Sequence, residues 1–197
     1  MRGRVARAGD TPASTGNVAN IVTVVRILMA PAFLWLLLAD ERAFGPLRYL
    51  AAGLFILAIV TDSVDGLLAR RQNLVTDFGK ILDPIADKVL TGGALIALSL
   101  LGELPWWVTL VILVRELGIT AFRFAVLRSR VIPASRGGKI KTIIQAVAIS
   151  LALVPLWEVF GDWVHVVNAV LMSAAVVATL ATGADYLFRA WRENRAA

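Results

Sequence analysis

T-D-S-V-D-G-L-L-A-R-R-Q-N-L-V-T-D-F-G-K-I-L-D-P-I-A-D-K, from Thr61 to Lys88, sets four aspartates into an otherwise apolar region of the chain. Asp62 and Asp65 are three residues apart, and Asp83 and Asp87 are four apart. On helices, each pair therefore shares one face. The connection from Arg70 to Asp77 is short, so the two helices are expected to be antiparallel neighbours. Four carboxylates would then converge on one pocket.

The sequence on either side of this stretch says what kind of pocket it is. The 197 residues are 58% hydrophobic and still carry a formal charge of +6, with a mean hydropathy of +0.76. A soluble domain of this length is seldom so apolar. Apolar runs recur at Asn20 to Ala39, Pro46 to Ala69, Phe78 to Leu101, Pro105 to Leu127, Ile140 to Val159 and Trp163 to Phe188. A bilayer core of roughly 30 Å takes about 20 apolar residues per helix, and lipid cannot satisfy the open edge of a sheet. The fold expected is an all-α integral membrane protein of six transmembrane helices. A basic segment (1–19), a six-helix domain (20–190) and a short tail (191–197) divide the chain. The first apolar run is too long for a signal-peptide core and reads as a retained helix.

Orientation follows from lysine and arginine. Arg2, Arg4, Arg7, Arg70, Arg71, Lys80, Arg128, Arg130, Arg136, Lys139, Lys141, Arg189, Arg192 and Arg195 fall on one side. The opposite loops offer Arg42 and Arg48. By the positive-inside rule both termini and the polar cavity are cytoplasmic, in a cell (plasma or inner) membrane. Terminal arginines need only this topology bias and anionic lipid to explain them. Arg115 and Arg123, together with Gly137-Gly138-Lys139 opening the fifth helix, also suit a phosphate.

An intramembrane carboxylate costs about 2.5–3.5 kcal/mol, so four together demand roughly 10 kcal/mol of compensation. Arg70 and Lys88 are too few to neutralise them. Divalent cations with oxygen ligands resolve the difficulty, and all-carboxylate ligation favours magnesium or manganese, expected as two ions in the sense of paired-metal chemistry. No cysteine exists to offer a thiolate, and His165 is the sole histidine, which leaves little for zinc or haem. Gly66, Ala69 and Gly79 keep the backbone beside the carboxylates bare, as a ligand surface or for close helix packing. Pro84 should bend the third helix. Clustered carboxylates, metals and arginines suggest phosphoryl-type transfer, with Asp87, deepest along its stripe, as the geometric candidate to take a hydroxyl proton. A transporter would also place aspartates in a membrane, but nearer its middle and within repeated helices. Trp106, Trp107, Trp157, Trp163 and Trp191 read as an interfacial belt, and His165 as an interfacial or packing residue.

The spacing Asp62-x-x-Asp65-Gly66-x-x-Ala69-Arg70, eight residues, Gly79-x-x-x-Asp83-x-x-x-Asp87 resembles the signature of the CDP-alcohol phosphatidyltransferase family. That resemblance implies displacement of CMP from a CDP-linked lipid by an alcohol, within a homodimer. The four aspartates would hold two divalent ions and Asp87 would accept the proton. Gly66, Arg70 and Thr76 would contact the CDP moiety, with Asn20 and Thr23 lining the same site. N-V-A-N-I-V-T-V-V-R-I (Asn17 to Ile27), V-R-E-L (Val114 to Leu117) and G-K-I-K-T-I-I-Q (Gly138 to Gln145) resemble the phosphatidylglycerophosphate-forming branch. This implies CDP-diacylglycerol and glycerol 3-phosphate as substrates, no nucleic acid as partner, and Arg115, Arg123, Lys139 and Lys141 at the acceptor's phosphate. Ala19 and Ser63 depart from the pattern, where a proline and an aromatic are usual. Branches that use inositol phosphate or phosphatidylglycerol share the signature.

Overall fold

The computed structural model describes the backbone over residues 18–71, 77–126 and 136–195, and side chains over 24–62, 85–122 and 137–188 and at Arg192. Six long helices form where the apolar runs lie: α1 (Val18–Ala39), α2 (Pro46–Arg71), α3 (Asp77–Leu100), α4 (Trp106–Val126), α5 (Arg136–Leu153) and α7 (Trp163–Arg195). No strand occurs among the described residues. A four-residue helix, α6 (Trp157–Phe160), stands between α5 and α7. The fifth run was expected to continue to Val159, but α5 stops at Leu153. Pro155 has no N–H to give and its ring would strike the carbonyl one turn back. The chain then turns through α6 and Gly161, whose φ of 90° suits only glycine.

The α1–α2 turn is held by its own side chain. Glu41, Arg42 and Phe44 adopt left-handed φ values, which cost energy for residues with a Cβ. The Asp40 carboxylate stabilises the turn by accepting from the Phe44 N–H at 3.0 Å and the Gly45 N–H at 3.1 Å. Pro46, whose fixed φ suits a first helical position, then starts α2.

Packing is organised around α1 and α5. Helix α1 lies against both α2 and α3, while α5 lies against α7 and α2, and α4 against α3 and α7. The α2–α3 neighbourhood expected from the short connection does not extend along the described lengths, where neither helix packs extensively on the other. Short loops make sequential neighbours only when nothing better fills the groove; here α1 does. Phe33 on α1 and Phe55 on α2 are fully buried with centroids 5.4 Å apart. Gly92 and Gly93 let α3 approach on two sides. A Cβ on Gly92 would stand 3.0 Å from Leu113 of α4, and one on Gly93 3.1 Å from Leu34 of α1. Small residues at crossings are how helices gain dispersion contact when lipid is as apolar as leucine.

The outer surface is apolar. Trp35, Val114, Val166, Val170 and Val177 are each more than 60% exposed. On α7 the run Trp163–Phe188 is long and apolar enough to cross a membrane, and the α1 run Val24–Ala39 is shorter. Opposite the aspartates, Arg48 proves not to be a loop charge. It sits on α2, fully buried, with its guanidinium forked onto Glu103 and donating to the carbonyls of Leu153 at 2.8 Å and Ala152 at 3.1 Å. One side chain thus ties α2, the α3–α4 turn and the C-terminal end of α5. His165 stacks on Trp157 at 4.6 Å, and Phe44 meets the same indole edge-on at 5.1 Å, which bears out a packing role for the histidine.

Candidate active site

Asp62 on α2 and Asp87 on α3 line one cavity of about 220 Å³, together with Lys88, Glu116, Lys141 and Gln145. Four helices therefore contribute to its wall, and the two carboxylates from opposite halves of the signature stretch do meet. Asp62 is half-exposed to the cavity and Asp87 is one-third exposed.

Asp62 is aimed by a residue of α1. Arg26 is 3% exposed, and its Nη1 lies 2.5 Å from Asp62 Oδ1 while its Nε donates to the Ala58 carbonyl at 3.2 Å. The planar guanidinium spans two acceptors one turn apart on α2. One turn of α3 fixes the other carboxylate's backbone, where the Thr91 hydroxyl donates to the Asp87 carbonyl at 2.7 Å. The Asp87 side chain is 3.4 Å from the Lys88 ammonium.

Glu116 of α4 forms the floor of the charge cluster. Its carboxylate accepts from Lys141 Nζ of α5 at 2.5 Å, from Arg115 Nη1 at 2.7 Å, and from Lys88 Nζ of α3. Arg115 extends further to Thr182 Oγ1 of α7 at 2.8 Å. Gly183 leaves the space for it, since a Cβ there would lie 3.2 Å from Arg115 Cγ. Three cations on one carboxylate leave the cluster positively charged. Adding Arg26, Asp62 and Asp87 still gives four cations against three carboxylates among the described residues. Of these, Lys88 and Lys141 line the cavity beside Asp62, Asp87 and Glu116, so the wall offers both ammonium and carboxylate groups.

These positions refine what the sequence suggested. Arg115 and Lys141, expected at an acceptor's phosphate, are both engaged by Glu116, although the Lys141 ammonium has protons to spare. Lys139 is exposed and outside the cavity wall. Asn20 and Thr23 lie on α1, Asp65, Gly66, Ala69 and Arg70 on α2, Gly79 and Asp83 on α3, and Arg123 on α4. Their side-chain placement, like Thr76 and the bend at Pro84, lies outside the described residues. Sequence reasoning missed Arg26, Glu116 and Gln145. A signal for Glu116 was present: it carries the same intramembrane penalty as the aspartates and should have been asked for its partners.

For a divalent cation the donor chemistry is suitable. Asp62 and Asp87 offer hard carboxylate oxygens on one wall, with no thiol or imidazole beside them. Among the described residues no three metal-ligating side chains gather.

Residues 16–181 match the model of the CDP-alcohol phosphatidyltransferase family. The chain is 50% identical over 181 residues to the probable phosphatidylglycerophosphate synthase of Mycobacterium tuberculosis, covering 92% of this chain and 85% of that protein. It is 38% identical to the CDP-diacylglycerol–glycerol-3-phosphate 3-phosphatidyltransferase of Bacillus subtilis, with coverage of 89% and 95%. A protein of the same name from Shigella flexneri is 38% identical, with coverage of 87% and 93%.

Proposed function

The chain belongs to the CDP-alcohol phosphatidyltransferase family, and we propose that it transfers the phosphatidyl group of CDP-diacylglycerol to glycerol 3-phosphate, forming phosphatidylglycerophosphate and CMP. It is an all-helical membrane enzyme of phospholipid biosynthesis. The names of its relatives support both substrates. The observation that carries the reading is one cavity in which Asp62 and Asp87 meet the Lys88–Glu116–Lys141 cluster of α3, α4 and α5. Carboxylates suit metal-assisted transfer, and the lysines beside them suit phosphate-bearing substrates.

In the reaction, a hydroxyl oxygen of glycerol 3-phosphate forms a bond to the phosphorus that carries the diacylglycerol. The bond from that phosphorus to the oxygen bridging to CMP breaks, and its electron pair leaves with CMP. Asp87 takes the hydroxyl proton on its carboxylate. Lys88, 3.4 Å from Asp87, holds that carboxylate at the cavity wall. Arg26 holds Asp62 in place, and Glu116 holds Lys88 and Lys141 at fixed positions along the wall. Asp62 and Asp87, with Asp65 and Asp83 from the same helices, would hold magnesium or manganese, which would supply neutralisation of the pyrophosphate charge. The remaining protons of Lys141 serve the acceptor's phosphate, with Arg123 and Lys139 from the neighbouring α4–α5 segment. Gly66, Ala69, Arg70, Thr76, Gly79, Asn20 and Thr23 serve the CDP-lipid.

Six membrane crossings follow from the six apolar runs, and a cavity open to the cytoplasm and cytoplasmic termini from the charge bias of the loops. A homodimer is part of the same reading. The test is purified enzyme with CDP-diacylglycerol and magnesium, given glycerol 3-phosphate, inositol 1-phosphate, inositol or phosphatidylglycerol in separate reactions. CMP and phosphatidylglycerophosphate form with glycerol 3-phosphate. Preference for another alcohol overturns the acceptor, and no CMP with any of them overturns the enzyme reading.

A further inference from the structure

Gln145 stands one turn after Lys141 on α5, so both side chains face the cavity. Both are at least 95% buried. Their situations differ. Lys141 is engaged by Glu116, whereas Gln145 Oε1 is buried and has no hydrogen-bond partner among the described residues. The hydroxyls of the neighbouring elements are satisfied: Thr91 and Thr142 donate to carbonyls on their own helices. A buried amide oxygen left bare costs about 1–3 kcal/mol, and a leucine would fill the same volume without that cost. An amide held here is explained by a group that arrives with the substrate.

We infer that Gln145 is the residue that reads the acceptor's second hydroxyl, the one not transferred. The inference rests on glycerol 3-phosphate as acceptor. That molecule carries its reacting hydroxyl, its second hydroxyl and its phosphate on three successive carbons. The cavity wall offers three matching groups: the Asp87 carboxylate for the reacting hydroxyl, the Gln145 amide for the second, and the Lys141 ammonium for the phosphate. A hydroxyl both donates and accepts, so it satisfies a carboxamide in either orientation. A site built around a hydroxyl rejects an analogue lacking it, because the protein's own polar group is then left unpaired.

The experiment compares glycerol 3-phosphate with 3-hydroxypropyl phosphate, which lacks only the second hydroxyl, by CMP release from CDP-diacylglycerol. The intact enzyme prefers glycerol 3-phosphate by about tenfold or more in kcat/KM, the scale of one hydrogen bond with a buried partner. In Gln145→Leu, kcat/KM for glycerol 3-phosphate falls by about tenfold while that for the analogue stays within about twofold, so the preference collapses. Thermal stability of the variant is unchanged or higher. Equal loss on both acceptors, or an undiminished preference, overturns the assignment. Gln145→Met repeats the comparison if the leucine variant does not fold; failure of both to fold makes Gln145 structural and overturns it too. Intact enzyme that makes no product from glycerol 3-phosphate overturns the acceptor itself, a distinguishable failure.

Discussion

Replacing Glu116 by glutamine is the sharpest test of how the cavity wall is built. The carboxylate accepts from Lys141 at 2.5 Å, from Arg115 at 2.7 Å and from Lys88, and the side chain is only 9% exposed. Glu116→Gln keeps the volume and one acceptor oxygen but removes the negative charge that, among the described residues, contacts all three cations. Removing one partner of a buried pair costs about 3–5 kcal/mol, mostly from the charge left behind. For a chain of this size each kcal/mol shifts the melting temperature by about 2–4 °C, so a fall of roughly 6–20 °C is expected. The chain has six tryptophans and no cysteine, so intrinsic fluorescence in detergent is the suitable thermal assay.

The double variant Glu116→Gln/Lys141→Met discriminates the cause. With the most buried lysine neutralised as well, the two losses are non-additive and the double variant melts above Glu116→Gln alone. A single variant within about 0.5 kcal/mol of the parent, the range of ordinary surface substitutions, would refute the reasoning. So would two losses that simply add.

Asp87→Asn removes the proposed proton acceptor and a cavity carboxylate but no core volume; CMP release from CDP-diacylglycerol falls at least about a hundredfold while the melting profile is kept. Near-normal turnover would contradict its role. Arg26→Ala removes the 2.5 Å contact to the Asp62 carboxylate, and the manganese concentration for half-maximal rate rises about 10–100-fold, as for loss of other groups that orient a metal ligand. Arg26→Lys recovers only part, because an ammonium cannot span both Asp62 and the Ala58 carbonyl. Arg48→Met leaves Glu103 and two helix-end carbonyls without their donor. It lowers stability by about 3–5 kcal/mol, with the KM of the folded fraction unchanged; an altered KM would show that this distant network reaches the cavity.

The sequence by itself determined the helices, because each apolar run is long and bounded by polar or turn-forming residues. It also determined the pairing of Asp62 with Asp87 in one site, since carboxylates among apolar residues are too costly to scatter. The family signature added the chemistry. It missed the end of α5 by six residues: hydropathy runs on through Pro155, whereas backbone hydrogen bonding does not. Two arginines were legible only as charges. Arg26 turned out to brace Asp62 from α1, and Arg48 to tie three elements together at the opposite end of the helices. Which helices become neighbours was likewise decided by tertiary structure, with α1 packed on both α2 and α3. So was the meeting of Lys88, Glu116 and Lys141, which are 25 to 53 residues apart in sequence. Periodicity fixes which side chains share a face of one helix. Only packing of one helix on another fixes which faces meet, and the partners of a charge or of an amide such as Gln145 lie across that meeting.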